Sequence, residues 1–232
     1  MAHPSPATLA ALRQQLAAPL GARLVLPFGD PRIDRHLPGG GLPVGQLHEI
    51  GAEGIEAETG ALAGGFAAAL AGALARHDPS HRVLLWIAPC CDLYAPGLHA
   101  YGLDPAQLIV VQTRTDAETL QAMETALRSG AASVVLGEVG QLTRLAARRL
   151  HLACLSNQTT SLLLRRWPHG RPTPAHPDAL AAVTRWQVGH VPAEEGKTQE
   201  GQGLCPWTPL GARAPRPAIP GDPDRGPGLP VL

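Results

Sequence analysis

The sequence predicts an α/β fold: a mostly parallel central sheet flanked by helices, between an N-terminal helix with an extended linker and a low-complexity C-terminal tail. Three observations carry this. Apolar runs of strand length recur at 46–50, 83–87, 108–112, 133–139 and 161–164. They are near-continuous rather than alternating, as in parallel strands covered on both faces. Helical patterns at 60–76, 92–100, 116–129 and 140–156 separate them, which is the order that builds parallel crossovers.

Residues 7–18 set Leu9, Leu12 and Leu16 at helical spacing, and Pro19 and Gly21 stop that helix. Residues 24–28 (LVLPF) read as an extended linker, and 29–37 as a short helical turn around Ile33 and Asp34. A Gly-Gly-Gly-Leu-Pro turn then enters the first strand. Helix 60–76 carries Leu62, Phe66, Leu70 and Leu74 on one stripe. Its internal glycines each cost roughly 1 kcal/mol relative to Ala, so close packing on the sheet is expected of them. Trp186 and Val188 mark a last strand. From 191 onward Pro and Gly dominate without periodicity, as in a disordered or adaptable segment. The expected units are therefore 1–28, a core at 29–190, and a tail at 191–232.

The apolar fraction of 44% builds a core, and with 3% aromatic residues that core is Leu, Ala and Val packing. A net charge of zero gives no global pull toward nucleic acid or membrane. Lys197 is the single lysine among nineteen basic residues. Cys90, Cys91, Cys154 and Cys205 show no paired metal spacing, which fits reduced thiols in a cytosol. No apolar run of about 18 residues is evident, nor a basic segment leading into an apolar one at the N-terminus. A cytoplasmic protein without a membrane span is expected.

The strand, loop and helix of 46–76 follow the order of a phosphate-cradling P-loop, where helix N-terminal N–H groups face the anion. The motif G-x-x-x-x-G-K-[ST] also needs a lysine on the phosphates and a hydroxyl on magnesium. Thr59 offers a hydroxyl between Gly51 and Gly60, but Glu53, Glu56 and Glu58 occupy the loop and no lysine does. A carboxylate about 4 Å from a phosphate oxygen costs about 4 kcal/mol at an effective dielectric near 20. The helix dipole returns about 1 kcal/mol or less. The loop, with Gly51, Gly54, Glu58, Thr59 and Gly60, is a degenerate P-loop, and no cofactor is expected.

Other signals are weaker. Gly196-Lys197-Thr198 spells part of a P-loop, but no strand precedes it and no apolar helix follows. Cys90 and Cys91 near Asp92 and His99, or His151 and Cys154 at i, i+3, lack the further ligands of a metal site. Arg144, Arg148, Arg149, Arg165, Arg166 and Arg171 outline a basic patch for DNA phosphates or an acidic partner; a solvated arginine face explains them equally well.

The segments GGGLPVGQLHEIGA, LLWIAPCCDLYAPGL, GLDPAQLIVVQ and SGAASVVLGEV give the block 24–166 its resemblance to RecA-type recombinase cores. Within that superfamily, RLAARRLHLACLSNQTTSLLLRRW is similar to the last helix and strand of the ImuA family, accessory proteins of bacterial damage-inducible mutagenesis cassettes. The resemblance implies a RecA-like core whose catalytic groups are gone. Glu58 stands where RecA proteins have the P-loop lysine, Cys90 where they have the catalytic glutamate, and Gly137 where they have the magnesium-associated aspartate. Glu138 is one residue out of register with that aspartate, on the opposite face of its strand. Arg165 and Arg166 replace a nucleotide-sensing glutamine, and the first DNA-contacting loop is missing after Val139. A non-enzymatic assembly factor of translesion DNA synthesis is thereby implied. Its partners would be an ImuB-type polymerase-like adaptor, through it the sliding clamp and an error-prone polymerase, and RecA itself. Residues 7–28 match the element by which RecA protomers dock, so self-association there is a further expectation. The rival readings are a SulA-like cell-division inhibitor, which shares a nucleotide-free RecA-related fold, and a RecA-type ATPase with a divergent site.

Overall fold

The computed structural model describes residues 24–54, 56–78, 80, 83–90, 93–166 and 181–189. Expectations for residues 7–23, Cys91, Asp92, Arg171, Lys197, Cys205 and the tail lie outside them. Among the described residues six strands form one wholly parallel sheet: β3 (Leu47–Ala52), β4 (Val83–Ala88), β5 (Leu108–Gln112), β6 (Ala132–Val139), β7 (Thr160–Arg165) and β8 (Thr184–Val188). Their spatial order is β5-β4-β6-β7-β3-β8. The central strands β3, β6 and β7 are buried at every position, which is why 134–136 and 162–164 run apolar without alternation, with His48, Glu49, Glu138 and Arg165 as buried polar exceptions.

Helix α2 (Glu56–His77) covers one face of the sheet, while α4 (Asp116–Ser129) and α5 (Arg144–Asn157) cover the other. Two short helices, α1 (Pro31–Asp34) and α3 (Ala95–Ala100), lie in the loops. α4 begins at Thr115 and α5 at Thr143, each hydroxyl accepting from the backbone three residues on. The helix expected at 140–156 therefore starts four residues later, because Thr143 caps it.

Residues 24–28 are part of the body rather than a free linker. β1 (Val25–Leu26) pairs antiparallel with β2 (Leu42–Pro43), and Leu26 and Phe28 are buried in the α2-side core. Trp186 of β8 locks this ribbon down, its ring lying 5.2 Å from Phe28 and 5.3 Å from Phe66.

α2 differs from expectation in three ways. Its buried stripe is Ala63, Ala67, Leu70, Ala71 and Leu74, whereas Leu62 is exposed and Phe66 half-buried. Its glycines admit a helix–loop contact rather than the sheet. A Cβ on Gly72 would come within 2.8 Å of the Tyr101 carbonyl oxygen, and one on Gly65 within 2.9 Å of the Tyr101 hydroxyl. Finally, by length and composition α2 would pass for a membrane span, contrary to the reading that no such run exists. Its alanine face packed on β3 and β7 identifies it as a core helix.

Candidate functional site

The degenerate P-loop lacks more than its lysine: residues 56–60, which would make much of the loop, lie in α2. Gly51 lies inside β3, aligned with Arg165 on one side and Gln187 on the other. β3 ends at Ala52 and α2 begins at Glu56, so three residues make the connection. Gly54, exposed at φ +86°, makes the turn. The Glu53 N–H, a donor that an anion-cradling loop would aim at its ligand, bonds the Val188 carbonyl at 2.7 Å instead. Thr59 and Gly60 are buried within α2, so the Thr59 hydroxyl does not face a bound metal from a loop. Glu58 and Glu53 are exposed. Crowding by acids was the expected obstacle; a missing cradle is the larger one.

Beside it, at the C-terminal ends of β3 and β7, an ion-paired cluster fills the α4–α5 side of the sheet. Glu49 accepts from Arg165 Nη1 at 3.1 Å and from Arg185 Nε at 3.0 Å. Arg165 Nη2 also donates to the Gly140 carbonyl at 2.7 Å. The Glu49 and Arg165 side chains retain 3% and 8% of their exposure, so the pair is desolvated. Burial pushes the Arg165 guanidinium below its ordinary value, with Glu49 opposing that shift. The sequence offers Arg165 as part of a basic patch or of a solvated arginine face, and it lies in neither. It is a buried structural cation, paired through Nη1 with a carboxylate 116 residues away in the chain.

Arg166, the next residue, points to the opposite face and sits 3.4 Å from Glu138. Glu138 also accepts from the Trp86 indole at 2.7 Å. These three side chains line a cavity of about 250 Å³ between α2 and α3, walled further by Leu98, Tyr94 and Tyr101. Glu138 is thus the acid that faces the α2 layer. Gly137 faces α4, where a Cβ would fall within 2.8 Å of Met123 Cγ and Cε. The two positions do point to opposite faces, as strand alternation requires.

The arginine group is dispersed. Arg149 bonds Glu124, which also holds Arg128, while Arg165 and Arg166 are engaged as above. Arg144 and Arg148 remain on the exposed side of α5, next to exposed Leu145 and Leu152. Cys90 is exposed on the bend after β4, and Cys154 lies in the core, where burial pushes its thiol up to about 12. Among the described residues no three His, Cys, Asp or Glu side chains gather as a metal site would require. Sequence reasoning missed His48. Buried between β2 and β8, its ring bonds the Pro43 carbonyl at 2.9 Å and the Thr184 hydroxyl at 2.7 Å. Desolvation holds it at about 4, hence neutral.

A parallel sheet carrying a shortened, lysine-free cradle and arginine–glutamate pairs at its strand ends defines a RecA/SulA-like α/β protein. A family model for the cell division inhibitor SulA matches residues 67–161. The crystal structure of SulA from Pseudomonas aeruginosa aligns with 51% of this chain and 96% of its own, at 25% identity and a TM-score of 0.44. ImuA proteins from two strains of Caulobacter vibrioides, NA1000 / CB15N and ATCC 19089 / CB 15, are 40% identical over 187 residues. That match covers 78% of this chain and 74% of theirs. The chain belongs to the ImuA family. Membership of the ImuA family accords with a non-enzymatic role.

Proposed function

We propose that this protein is a cytoplasmic, non-catalytic accessory factor of damage-induced translesion DNA synthesis. In this reading it holds an ImuB-type polymerase-like adaptor, and through that adaptor the sliding clamp and an error-prone polymerase, with RecA as a further contact. The observation that carries the reading is the closed strand end. The three-residue β3–α2 connection, with Glu53 N–H already bonded to Val188, leaves no cradle for a triphosphate. Contact with other proteins is then the work left to the fold, and the kinship with ImuA proteins supports which ones.

Co-purification with an ImuB-type adaptor, alongside calorimetric titration with Mg-ATP, tests this directly. Adaptor captured at about micromolar affinity with no heat from nucleotide is expected. Nucleotide binding at that affinity, or no capture of the adaptor, overturns it. The SulA model match over 67–161 favours a second reading, inhibition of the tubulin-like division protein. Capture of that protein in preference to the adaptor would select it.

A further inference from the structure

The strand β5 ends one side of the sheet, and among the described residues nothing pairs with its outer edge. Its five residues, Leu108–Gln112, carry no charge, and Ile109 and Val110 are 46% and 38% exposed. Edge strands of soluble proteins are ordinarily protected by a charge, a proline or a bulge. The opposite edge obeys that rule, because β8 carries Arg185. β5 does not.

Backbone geometry says which groups β5 offers. The Thr113 N–H donates to the Ala88 carbonyl of β4 at 3.0 Å. Alternation along the strand then turns Ile109 and Val111 toward β4 and the backbone of Leu108, Val110 and Gln112 outward. The Leu108 N–H is used by the Pro105 carbonyl, which leaves its carbonyl facing out.

We propose that β5 is a self-association edge, on which two copies pair antiparallel about Val110. That register joins Val110 N–H to the second copy's Val110 carbonyl and the reverse. On each side Gln112 N–H meets the second copy's Leu108 carbonyl, while the Leu108 N–H stays with Pro105 and leaves the Gln112 carbonyl of that pair to water, so the ladder has four bonds. The flanking charges choose the direction. Asp104, exposed, stands before the strand, and Arg114, whose side chain is 88% exposed, stands after it. Antiparallel pairing brings each Asp104 toward the other copy's Arg114, whereas parallel pairing sets like charges together. Arg114 also reaches Glu118 on its own helix at 3.5 Å, and Asp104 caps the turn at Ala106. A five-residue edge makes a small interface, so the dimer is a weak one, with dissociation at about 10–100 µM.

Sedimentation equilibrium of the full chain from about 5 to 500 µM tests this. The unaltered protein should pass from monomer to dimer across that range. Val110→Pro removes an outward N–H that β4 does not use, so the fold survives (checked by circular dichroism) and the dimer is lost. Val110→Lys gives the same outcome by placing charge on the edge, and serves if proline disturbs the strand. Arg114→Glu weakens the dimer about tenfold, and adding Asp104→Lys restores it to within about twofold, a recovery that misfolding does not mimic. A monomer throughout the range, or a dimer indifferent to Val110 but abolished by deleting residues 1–23, overturns the proposal.

Discussion

Replacing Glu49 by glutamine removes the carboxylate that Arg165 and Arg185 share, and leaves two cations facing each other at the end of β3 and β7. Arg165 is desolvated, with its side chain 8% exposed, whereas Arg185 at 39% retains water. Breaking a buried pair by removing one partner costs about 3–5 kcal/mol, because the remaining charge is uncompensated. Asp116 attracts Arg165 as well, which holds the cost to the lower half of that range. Arg165→Met is milder. Glu49 then keeps the half-solvated Arg185, and the Gly140 carbonyl loses a donor, for about 1–3 kcal/mol. The double change Glu49→Leu with Arg165→Met exchanges ions for packing and falls below Glu49→Gln. Urea denaturation should give that order, with Glu49→Gln lowering the melting temperature by about 10 °C in a domain of this size. A cost under about 1 kcal/mol for Glu49→Gln would refute the claim that this cluster is a desolvated structural unit.

His48, held at about 4 against an ordinary 6.5, binds a proton more readily in the unfolded chain. Its contribution is therefore complete above pH 6.5 and is lost as the pH falls toward 4, by about 3 kcal/mol in all. Stability measured against pH should lose that slope in His48→Gln. Gly137→Ala drives a methyl into Met123 in the α4 layer and should cost about 1–3 kcal/mol, relieved by Met123→Ala. Gly72→Ala meets the backbone of Tyr101 and Gly102, which has no rotamer to yield, so its similar cost should find no such rescue. Glu58→Lys restores the missing P-loop lysine in sequence. Calorimetry should still find Mg-ATP binding weaker than about 1 mM, because a lysine on the exposed side of α2 does not rebuild a cradle.

The central strands were legible because burial on both faces suppresses the apolar–polar alternation, as at 134–136 and 162–164, and β5 and α4 fall where their patterns put them. α2 was misread by its side-chain sizes. Leucine dominates a periodicity argument, and Leu70 and Leu74 do reach the core, but Ala63, Ala67 and Ala71 make up the rest of that face and Leu62 is left outside. The strand ends were the least legible part. Nothing local in Arg165-Arg166 says that one side chain is buried against Glu49 and the other turns to Glu138; strand alternation gives the two faces, and the fold supplies the acids. For the same reason a lysine-free motif suggested a failed P-loop, while the placement of Gly51 within β3 waited on the register with β7 and β8.

Loss of a catalytic lysine would leave a pocket shaped for phosphate, and such a pocket can be reoccupied by a single substitution. The arrangement here is different in kind. The connection is too short, its leading donor is bonded to β8, and the adjoining strand ends are tied by Glu49 and Arg165 across β3 and β7. Three separate features would have to reverse together, and one of them contributes to stability. Selection acting on this fold therefore has more purchase on its exposed surfaces than on its former centre. Those surfaces include the Leu145–Leu152 side of α5, the aromatic cavity at Trp86, and the uncharged edge of β5.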